Sequence, residues 1–556
     1  MPIVTISAKE LKELIGKDLP REEIEEILPL NKMEIDSWDG DEISVEVTPD
    51  RPDFYSVEGI ARQLRAWLYI KPGLPSHILS KPQIRLHAQK VSSRPCIVAG
   101  IVRELEMNEP AIKSLLQLQE LLDLSLGRDR KKVSIGIHDL DKIKPPLTYT
   151  EVDPETTRFV PLSCSKEMSM KEIIEEHPKG IEYKHLLKGA EKFPVVFDCE
   201  DVISFPPIIN SERTRITENT KNIFIEITGT DESAINYALN IIMTALEERG
   251  GKLEAVRINN TQTPHLKAKA IKFEPQEAKR LLGINLKNSE LKSLLERMCY
   301  DVDLEQKTVF APPYRFDILH PIDVIEDIAI AYGYNDFTPE VPKLPTIGKE
   351  HPKEEFSNTL RELMIGLGFQ EIVNHILTSP EKMIKKPGIN TEEAIEIANP
   401  VTSEYSVCRT WLLPGLFQNL ANNKHRRYPQ KLFEIGDAVL PKESSDTRTS
   451  NQRKLSGVIS HSAASLSEII SVINALLENL GLKPNFKTLE HPTFISGRCG
   501  RIIIGEEEIG FFGEVHPKVL TAFELKMPVS GFEIDVEKLM DIITSTNRRA
   551  SQKNLS

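Results

Sequence analysis

Four carboxylates lie within eleven residues near the middle of the chain, and three of them have a spacing that suits a metal ion. Asp323, Glu326 and Asp327 stand at positions i, i+3 and i+4, so a helix would place them on one face. Like charges at these spacings destabilise an isolated helix by about 0.2–0.5 kcal/mol per pair, and a bound cation would remove that repulsion. Carboxylate oxygens without His or Cys favour Mg²⁺ over Zn²⁺. The alternative is a solvated acidic face at a helix start, where the helix dipole tolerates acids.

A helix between Pro321 and Gly333 would have to position these acids. Pro321 suits the first turn of such a helix, and Gly333 suits its C-terminal cap. The arc opposite the acids is apolar, which predicts an amphipathic helix packed on a core through Val324, Ile325, Ile328, Ala329, Ala331 and Tyr332.

A second group of polar residues follows a Pro-Pro loop. In the segment from residue 223 to 228, isoleucines alternate with Phe224, Glu226 and Thr228, which predicts a strand with two different faces. An acid and a hydroxyl on one face, next to the Pro-Pro-Ile-Ile-Asn-Ser loop that begins at Pro206, indicate a polar pocket. A half-exposed strand with ordinary outward polar residues is the alternative.

The composition restricts the class of protein. A chain of 556 residues is expected to form three to five domains, roughly, and 40% apolar with 28% charged residues is typical of a soluble globular protein. No apolar run is long enough to span a bilayer, no signal peptide is visible, and six separated cysteines without a Cys-x-x-Cys pair argue for reduced thiols in a cytoplasm. The net charge of −13 argues against a protein that coats DNA or other nucleic acid nonspecifically.

The string that contains the acidic helix, Tyr-Arg-Phe-Asp followed by Asp-Val-Ile-Glu-Asp and Ala-Tyr-Gly-Tyr, resembles the small domain of phenylalanyl-tRNA synthetase beta subunits. In that family these acids form a magnesium site shared with the alpha subunit. The resemblance implies Mg²⁺ as the cofactor and, position by position, the ligands Asp317, Asp323, Glu326 and Asp327.

The Pro-Pro-Ile-Ile-Asn-Ser loop is similar to the editing domain of the archaeal and eukaryotic members of this family. A pocket built for phenylalanine rejects an amino acid that merely adds a hydroxyl by only about a hundredfold, so mischarged Tyr-tRNA must be hydrolysed afterwards. The resemblance implies that Glu226 accepts a hydrogen bond from the phenolic hydroxyl of tyrosine, although archaeal relatives often have Asp at this position. The further pocket residues that it implies are Ser204, Asn210 and Thr228, with Arg215 holding the tRNA 3′ end. No Ser-His-Asp or Cys-His arrangement is visible, which favours a positioned water; His138 is expected to make a structural hydrogen bond near the pocket.

The last domain looks like the family's copy of the class II synthetase fold, on the strings Asn-Pro from Asn399, Leu-Phe-Glu-Ile-Gly-Asp from Leu432, and Gly-Glu-Val-His-Pro from Gly513. A working class II site needs an Arg in the second of these strings, and this chain has none there. The resemblance therefore implies no catalytic residue for aminoacylation in this chain and a scaffold role beside a catalytic alpha subunit.

The expected fold class is α+β and multidomain, with a C-terminal class II synthetase-like antiparallel sheet flanked by helices. The predicted parts are an N-terminal α+β domain (residues 1–84), an editing domain (85–260), a small magnesium-site domain (266–345), a class II-like non-catalytic domain (346–545) and a disordered tail (546–556). The motif Thr-Pro-Asp-Arg-Pro-Asp that begins at Thr48 is interpreted as structural or interfacial, with Asp50 where the family has Asn, and Asp53 or Ser56 is expected to cap the next helix.

The resemblance implies an archaeal-type subunit in a cytoplasmic tetramer of two alpha and two beta chains. The complex would bind tRNA(Phe), ATP and phenylalanine, with aminoacylation on the alpha subunit, and two basic segments (128–132 and 424–427) are candidate tRNA contacts or plain solvated surface. Two other interpretations stay open: a paralogue that binds tRNA or a partner without chemistry, and a magnesium nuclease or phosphotransferase.

Overall fold

The computed structural model describes residues 2–389 and 394–553, which form two compact units, residues 1–340 and 341–556. The fold is α+β and multidomain, as predicted from the sequence. Among the residues described, no helix is long and apolar enough to cross a membrane.

The first unit begins with a three-stranded sheet in the order β1-β3-β2, packed against three helices. The elements are β1 (Ile3–Ser7), α1 (Ala8–Ile15), α2 (Arg21–Leu30), β2 (Met33–Asp39), β3 (Glu42–Val47) and α3 (Val57–Trp67). Of the two caps predicted for α3, Ser56 fills the role, since its Oγ accepts from Gly59 N. Arg51 and Asp53 of the same motif form a buried ion pair, so the motif is part of the core.

A ten-stranded sheet follows, in the order β12-β11-β10-β7-β4-β14-β5-β13-β6, with β15 paired to β14. The elements of this part of the chain are β4 (Leu79–Ala88), β5 (Cys96–Arg103), α4 (Glu109–Leu124), β6 (Val133–Asp139), β7 (Leu147–Val152), β8 (Arg158–Phe159), β9 (Met168–Ser169), α5 (Met170–Glu176), α6 (Pro178–Tyr183), β10 (Phe193–Phe197), β11 (Val202–Phe205), β12 (Ile209–Asn210), β13 (Ile223–Gly229), α7 (Glu232–Glu247), β14 (Lys252–Ile258) and β15 (Thr261–Thr263). Strands β8 and β9 pair with each other in a separate two-stranded sheet. Helices α4 and α7 pack on one face of this sheet, and their apolar residues continue the core of the N-terminal part.

The first unit ends with a small three-stranded sheet, β16-β18-β17, and three helices. These elements are β16 (Lys269–Lys272), α8 (Pro275–Leu282), α9 (Asn288–Arg297), β17 (Asp301–Asp303), β18 (Thr308–Ala311) and α10 (Pro321–Tyr332). The prediction of a helix between Pro321 and Gly333 is confirmed: Pro321 stands in the first turn, and the Gly333 N–H donates to Ala329 O at the end. Its apolar arc belongs to the same core as α3 and α7.

The second unit contains a seven-stranded sheet in the order β19-β22-β23-β27-β26-β25-β24, antiparallel except at the β19–β22 edge. Its elements are α11 (Pro352–Gly366), β19 (Gln370–Glu371), β20 (Leu377–Thr378), β21 (Val407–Cys408), α12 (Leu413–Asn422), β22 (Gln430–Pro441), β23 (Thr449–Ser460), α13 (Leu466–Asn479), β24 (Asn485–Thr488), β25 (Phe494–Ile504), β26 (Glu507–Val515), α14 (Pro517–Ala522), β27 (Val529–Asp535) and α15 (Val536–Lys553). Helices α11, α13 and α15 cover one face, and α12 covers the other.

The last helix differs from the sequence expectation for the tail. Disorder is predicted from residue 546 onward, whereas α15 is helical as far as Lys553. The apolar start of this helix packs on the sheet, and helix formation is cooperative, so the helix can continue beyond its packed start. Residues 554–556 of the predicted tail lie outside the described residues.

Candidate functional site

Strand β13 lies between β5 and β6, and both of its faces are buried. Its three isoleucines join the core under α4 and α7, as the alternation predicts. Glu226 and Thr228 point from the opposite face and are 1% and 0% exposed. The half-exposed alternative for this strand is therefore wrong. The Glu226 carboxylate therefore lies on a fully buried strand. Burial of a carboxylate destabilises the fold unless the group is paired and hydrogen-bonded.

The Glu226 carboxylate has one satisfied and one unsatisfied oxygen. Ser204 Oγ donates to Glu226 Oε1 at 2.7 Å, whereas Oε2 is buried without a hydrogen-bond partner among the described residues. His138 Nε2 lies 4.0 Å from Oε1 and is also buried and unpaired, while its Nδ1 is 2.9 Å from Thr214 Oγ1. An unpaired buried polar group costs about 1–3 kcal/mol, so a ligand that brings a hydroxyl or N–H donor would stabilise this place.

Gly136 makes room beside this carboxylate, a role that was not predicted from the sequence. It stands directly opposite Glu226 in the β6–β13 register. A Cβ at this position would lie 2.3 Å from Glu226 Oε1 and 2.8 Å from His138 Nε2. Those distances are far inside van der Waals contact, so glycine alone leaves the side chains of both residues in place. A glycine inside a strand is the signal from which this close approach could have been predicted.

A cavity of about 540 Å³ lies against Glu226. This is a typical size for a small-molecule site. Its walls come from β6, from the loop that joins β11 to β12, and from the start of α6. The lining residues are Gln119, Arg130, Ser134, Ile135, Gly136, Leu162, Ser163, Cys164, His177, Pro178, Lys179, Ser204, Phe205, Pro206, Pro207, Ile208, Ile209, Asn210 and Glu226.

Three of the five predicted pocket residues meet at this cavity. Ser204, Asn210 and Glu226 line it, and Ser204 pairs with Asn210 between β11 and β12. Thr228 lies on the same face of β13 but is held by another side chain: its Oγ1 accepts from Arg94 Nε at 3.1 Å. Arg215 is not in the lining that the structure describes; its side chain is 54% exposed and pairs with the neighbouring Glu212.

The structure adds an ion pair at the cavity between Arg130, which lines it, and the buried Asp123. Arg130 Nε lies 3.2 Å from Asp123 Oδ2, and Asp123 stands among the buried residues of α4. Burial raises the pKa of Asp123 to about 7, against the opposing influence of Arg130 and Arg94. The sequence signal for this pair is an acid next to Leu122 on the apolar face of a helix, where an uncompensated carboxylate is rare.

The four predicted magnesium ligands are divided between two cationic side chains and a helix end. Arg315, fully buried, donates to Asp317 Oδ1 (2.8 Å) and Oδ2 (2.7 Å) and to Asp327 Oδ2 (2.7 Å). Tyr300 Oη also donates to Asp327 Oδ2 at 2.5 Å. Burial acts to raise the pKa of Asp317, but Arg315 outweighs it and the pKa is lowered. These two acids act as counterions of a buried arginine.

The other two acids face different partners. Asp323 Oδ2 accepts from the backbone N–H groups of Leu319 (2.8 Å) and His320 (2.7 Å), which caps the start of α10. Lys32 Nζ bridges Glu326 Oε1 and Asp50 Oδ2, each at 2.9 Å. Burial acts to lower the pKa of Lys32, but its hydrogen bonds to Glu326 and Asp50 raise it.

The carboxylate donors suit Mg²⁺, yet they are not gathered into a metal site within this chain. In the part of the chain that the structure describes, no three His, Cys, Asp or Glu side chains form a metal-binding group. Arg315 and Lys32 form ion pairs with three of the four acids, where a metal ion would otherwise balance the charge. The solvated-face alternative fails for Asp327, which is 1% exposed, but it describes Glu326, whose side chain is 49% exposed.

The second unit places one arginine over its central sheet. Arg409 Nη1 donates to Glu434 Oε1 at 2.5 Å, and Arg409 Nε donates to Asp437 O at 2.8 Å. Both side chains are buried, and Asn374 Nδ2 donates to the second oxygen of Glu434 at 2.7 Å. Hydrogen bonds therefore hold the guanidinium against β22. In the basic segment 424–427, Lys424 pairs with Glu524.

Comparison with known proteins defines the class of this multidomain chain. A family described as "tRNA synthetase B5 domain" matches residues 271–334, "B3/4 domain" matches 100–257, and "Phenylalanyl tRNA synthetase beta chain CLM domain" matches 338–536. The candidate pocket lies in the second of these matches and the acidic helix in the first. These matches define an aminoacyl-tRNA synthetase chain.

The particular family follows from full-length relatives. The chain is 41% identical over 549 residues to the phenylalanine–tRNA ligase beta subunit of Thermococcus sibiricus, which covers 96% of this chain and 98% of the relative. It is 41% identical to that of Methanocaldococcus jannaschii, over 97% of this chain and all of the relative. A crystal structure of an N-terminal fragment of the Pyrococcus horikoshii beta subunit matches with a TM-score of 0.58 and 39% identity, over 60% of this chain and all of the fragment. The chain belongs to the family of phenylalanine–tRNA ligase beta subunits.

Proposed function

We propose that this chain works as the beta subunit of a tetramer of two alpha and two beta chains, which joins phenylalanine to tRNA(Phe) with ATP. The family membership supports this assignment. We assign the aminoacylation site to the alpha subunit and a class II-like scaffold role to the second unit. Arg409 Nη1 and Nε donate to Glu434 and to the Asp437 carbonyl, and these hydrogen bonds support a structural role for this arginine in a non-catalytic sheet.

We further propose that the cavity beside Glu226 hydrolyses tRNA(Phe) mischarged with tyrosine. The observation that carries this proposal is Glu226, a buried residue that lines a cavity of about 540 Å³ and whose Oε2 has no hydrogen-bond partner among the described residues. A tyrosine hydroxyl would donate to this oxygen, whereas phenylalanine would leave it unpaired. A hydrogen bond to a charged group contributes about 1.5–3 kcal/mol, which corresponds to roughly ten- to a hundredfold in discrimination.

The hydrolysis needs a water oxygen to attack the ester carbonyl carbon. The bond from that carbon to the ribose oxygen breaks, and the ribose oxygen takes a proton that the water gives up. Ser204 fixes the Glu226 carboxylate by its 2.7 Å hydrogen bond, so the phenol end of the substrate has one defined position. Asn210, three residues beyond Pro207 in the pocket wall, would orient the aminoacyl group, and the exposed Arg215 would contact the tRNA 3′ end. Thr228 supports the pocket from behind through Arg94.

The magnesium site is proposed for the assembled complex. Asp317, Asp323, Glu326 and Asp327 supply the hard oxygen donors that Mg²⁺ prefers. Because Arg315 and Lys32 neutralise three of these acids in the chain by itself, we expect the isolated chain to hold the metal weakly and the tetramer with an alpha subunit to retain it. When bound, the ion would link the acidic helix to the alpha chain.

The test of the pocket uses the tetramer made with an alpha subunit and preformed Tyr-tRNA(Phe). The wild-type complex is expected to release tyrosine, and Glu226→Ala is expected to slow the release by roughly ten- to a hundredfold while aminoacylation with phenylalanine stays unchanged. Equal losses for Tyr-tRNA and Phe-tRNA would mean that Glu226 supports the fold. No release of tyrosine by the wild-type complex would favour a chain that binds tRNA or its partner without editing.

A further inference from the structure

Arg130 lies in the turn between α4 and β6, inside the basic segment that the sequence suggests as a tRNA contact. Its side chain is only 20% exposed. Nη1 of its guanidinium donates to Pro207 O at 3.1 Å and to Ile208 O at 3.0 Å. Both carbonyls belong to the cavity wall that joins β11 to β12. The guanidinium therefore faces the pocket wall more than it faces solvent.

The guanidinium is held from two further sides. Asp123, buried on α4, lies 3.2 Å from Nε, and the Tyr183 ring centroid lies 4.3 Å from Cζ. An ion pair, a stacked ring and two carbonyls together leave the planar guanidinium little freedom to rotate. A side chain fixed in this way can hold in place the wall that it contacts.

The backbone at this turn is held as firmly. Arg128, Asp129 and Arg130 have φ values of 49°, 55° and 60°, which is the left-handed region that non-glycine residues rarely adopt. The turn keeps this conformation through hydrogen bonds at residue 130 itself: Arg130 N donates to Asp123 O at 3.0 Å, and Arg94 Nη1 donates to Arg130 O at 2.9 Å. Strain of this kind persists where the surroundings over-determine it, and it is concentrated at functional sites.

We propose that Arg130 is a positioning residue for the pocket, an inference that rests on the proposed editing function. It holds the wall from Pro206 to Asn210 at one distance from Glu226. The wall ends in Asn210, which pairs with Ser204 across β11 and β12, and Ser204 in turn donates to Glu226 Oε1. If the wall moves outward, Asn210 and Ser204 move with it, and the reactive ester loses its alignment with the water. Misplacement of about 1 Å costs as much as a hundredfold in rate.

Lys131 offers a matched control in the same turn. It carries the same charge one residue further on, and its side chain is exposed. A loss of tRNA attraction would affect Arg130→Met and Lys131→Met alike, whereas a loss of wall position would affect Arg130→Met alone. Arg130→Lys keeps the charge but offers an ammonium in place of a planar fork, so it should restore the function in part.

The experiment compares the tetramers that carry wild-type chain, Arg130→Met, Arg130→Lys and Lys131→Met. It measures kcat and KM for hydrolysis of Tyr-tRNA(Phe) and hydrogen exchange at the backbone amides of Ile208 and Ser211, which donate to Phe205 O and Ile203 O. For Arg130→Met we expect kcat to fall by about ten- to a hundredfold, KM to stay within about twofold, and these two amides to exchange faster. The kcat of Arg130→Lys should lie between that of the wild type and that of Arg130→Met, and Lys131→Met should keep the wild-type kcat.

Equal rises of KM in both Met variants, with kcat unchanged, would overturn the proposal in favour of a tRNA contact. Unchanged exchange at Ile208 and Ser211 in Arg130→Met would also overturn it, whatever the activity. If Arg130→Met exchanges faster throughout β13 as well, it has unfolded the domain, and Arg130→Lys then decides by the same two measurements. A wild-type tetramer that releases no tyrosine would reject the editing function, and the exchange data would still show whether Arg130 holds the wall.

Discussion

Gly136 faces Glu226 across the β6–β13 pair, and the missing Cβ of the glycine is what gives the carboxylate its place. A Cβ on this glycine would lie only 2.3 Å from Glu226 Oε1. A buried carboxylate with one unpaired oxygen destabilises the fold. Both residues fit the proposed site, in which a ligand carries a hydrogen-bond donor into the cavity.

Gly136→Ala is expected to abolish most of the hydrolysis of Tyr-tRNA, by at least about tenfold, because the new methyl group would push the Glu226 carboxylate and His138 out of position. Aminoacylation with phenylalanine should not change. Gly366→Ala at the end of α11, where a Cβ meets nothing within 4 Å, is the matched control and should keep both activities. Normal tyrosine release by Gly136→Ala would remove this wall of the cavity from the editing site.

Glu226→Gln tests which property of the acid matters. The amide keeps the length of the side chain and one oxygen acceptor, but it loses the charge and brings its own donor group. We expect an intermediate rate of tyrosine release, above that of Glu226→Ala and below that of the wild-type chain, since hydrogen bonds to charged groups are about twice as strong as neutral ones. A Gln variant as active as the wild type would show that the carboxylate charge is dispensable.

Glu326→Gln is expected to lower the magnesium content of the tetramer with little loss of stability, because the Glu326 side chain is 49% exposed. Asp323→Ala is a poorer probe, since Asp323 caps α10 through two backbone N–H groups and the loss of a cap costs about 0.5–2 kcal/mol. Elemental analysis of purified tetramers gives the metal content, and Asp336→Asn, an exposed acid just beyond α10, is the control. Equal metal content in the wild-type, Glu326→Gln and Asp336→Asn tetramers would contradict a role of Glu326 in binding the metal.

The chain without an alpha subunit is expected to make no phenylalanyl adenylate. The strand β22 has no Arg at Lys431–Gly436, and Arg409 Nη1 and Nε donate to Glu434 and the Asp437 carbonyl. Phenylalanine-dependent exchange of pyrophosphate into ATP measures this step, with the tetramer as the positive control. Exchange by the purified chain alone would contradict the scaffold role of the second unit.

Glu533 is expected to make the second unit less stable as the pH rises. It is buried at β27, it accepts from Leu412 N (2.8 Å) and Leu413 N (3.3 Å), and burial raises its pKa to about 7. The usual value for a glutamate is about 4.3, so the folded state binds this proton more tightly than the unfolded state does. Its contribution to stability is therefore complete below about pH 4 and is lost as the pH rises towards 7.

In that window the unfolding free energy should fall by up to about 1.4 kcal/mol per pH unit through this group. Glu533→Gln keeps an oxygen for the two N–H groups and should lack this slope, so its melting temperature relative to the wild type should rise with pH. Thermal unfolding of both chains at several pH values between about 4.5 and 7.5 measures the difference. A constant difference across this range would mean that Glu533 titrates normally.

The sequence alone determined the local elements and the family. The alternation of isoleucines with Phe224, Glu226 and Thr228 encodes β13. The spacing of apolar residues between Pro321 and Gly333 encodes α10, because side-chain periodicity and end caps are local properties of the chain. The motif strings were specific enough to indicate the family that the full-length relatives show. The disorder expected from residue 546 differed, because composition does not reveal how far a packed helix propagates.

Which partners these elements meet depends on tertiary packing. Glu226 is buried because β5 and β6 flank β13 on both sides, and a strand pattern does not state its neighbours. Lys32 reaches Glu326 from the opposite end of the first unit's sequence, and Arg130 reaches the carbonyls of Pro207 and Ile208, so neither contact leaves a local signal. Counterions and pocket walls come from distant segments that the common core brings together, and periodicity within one segment cannot encode them.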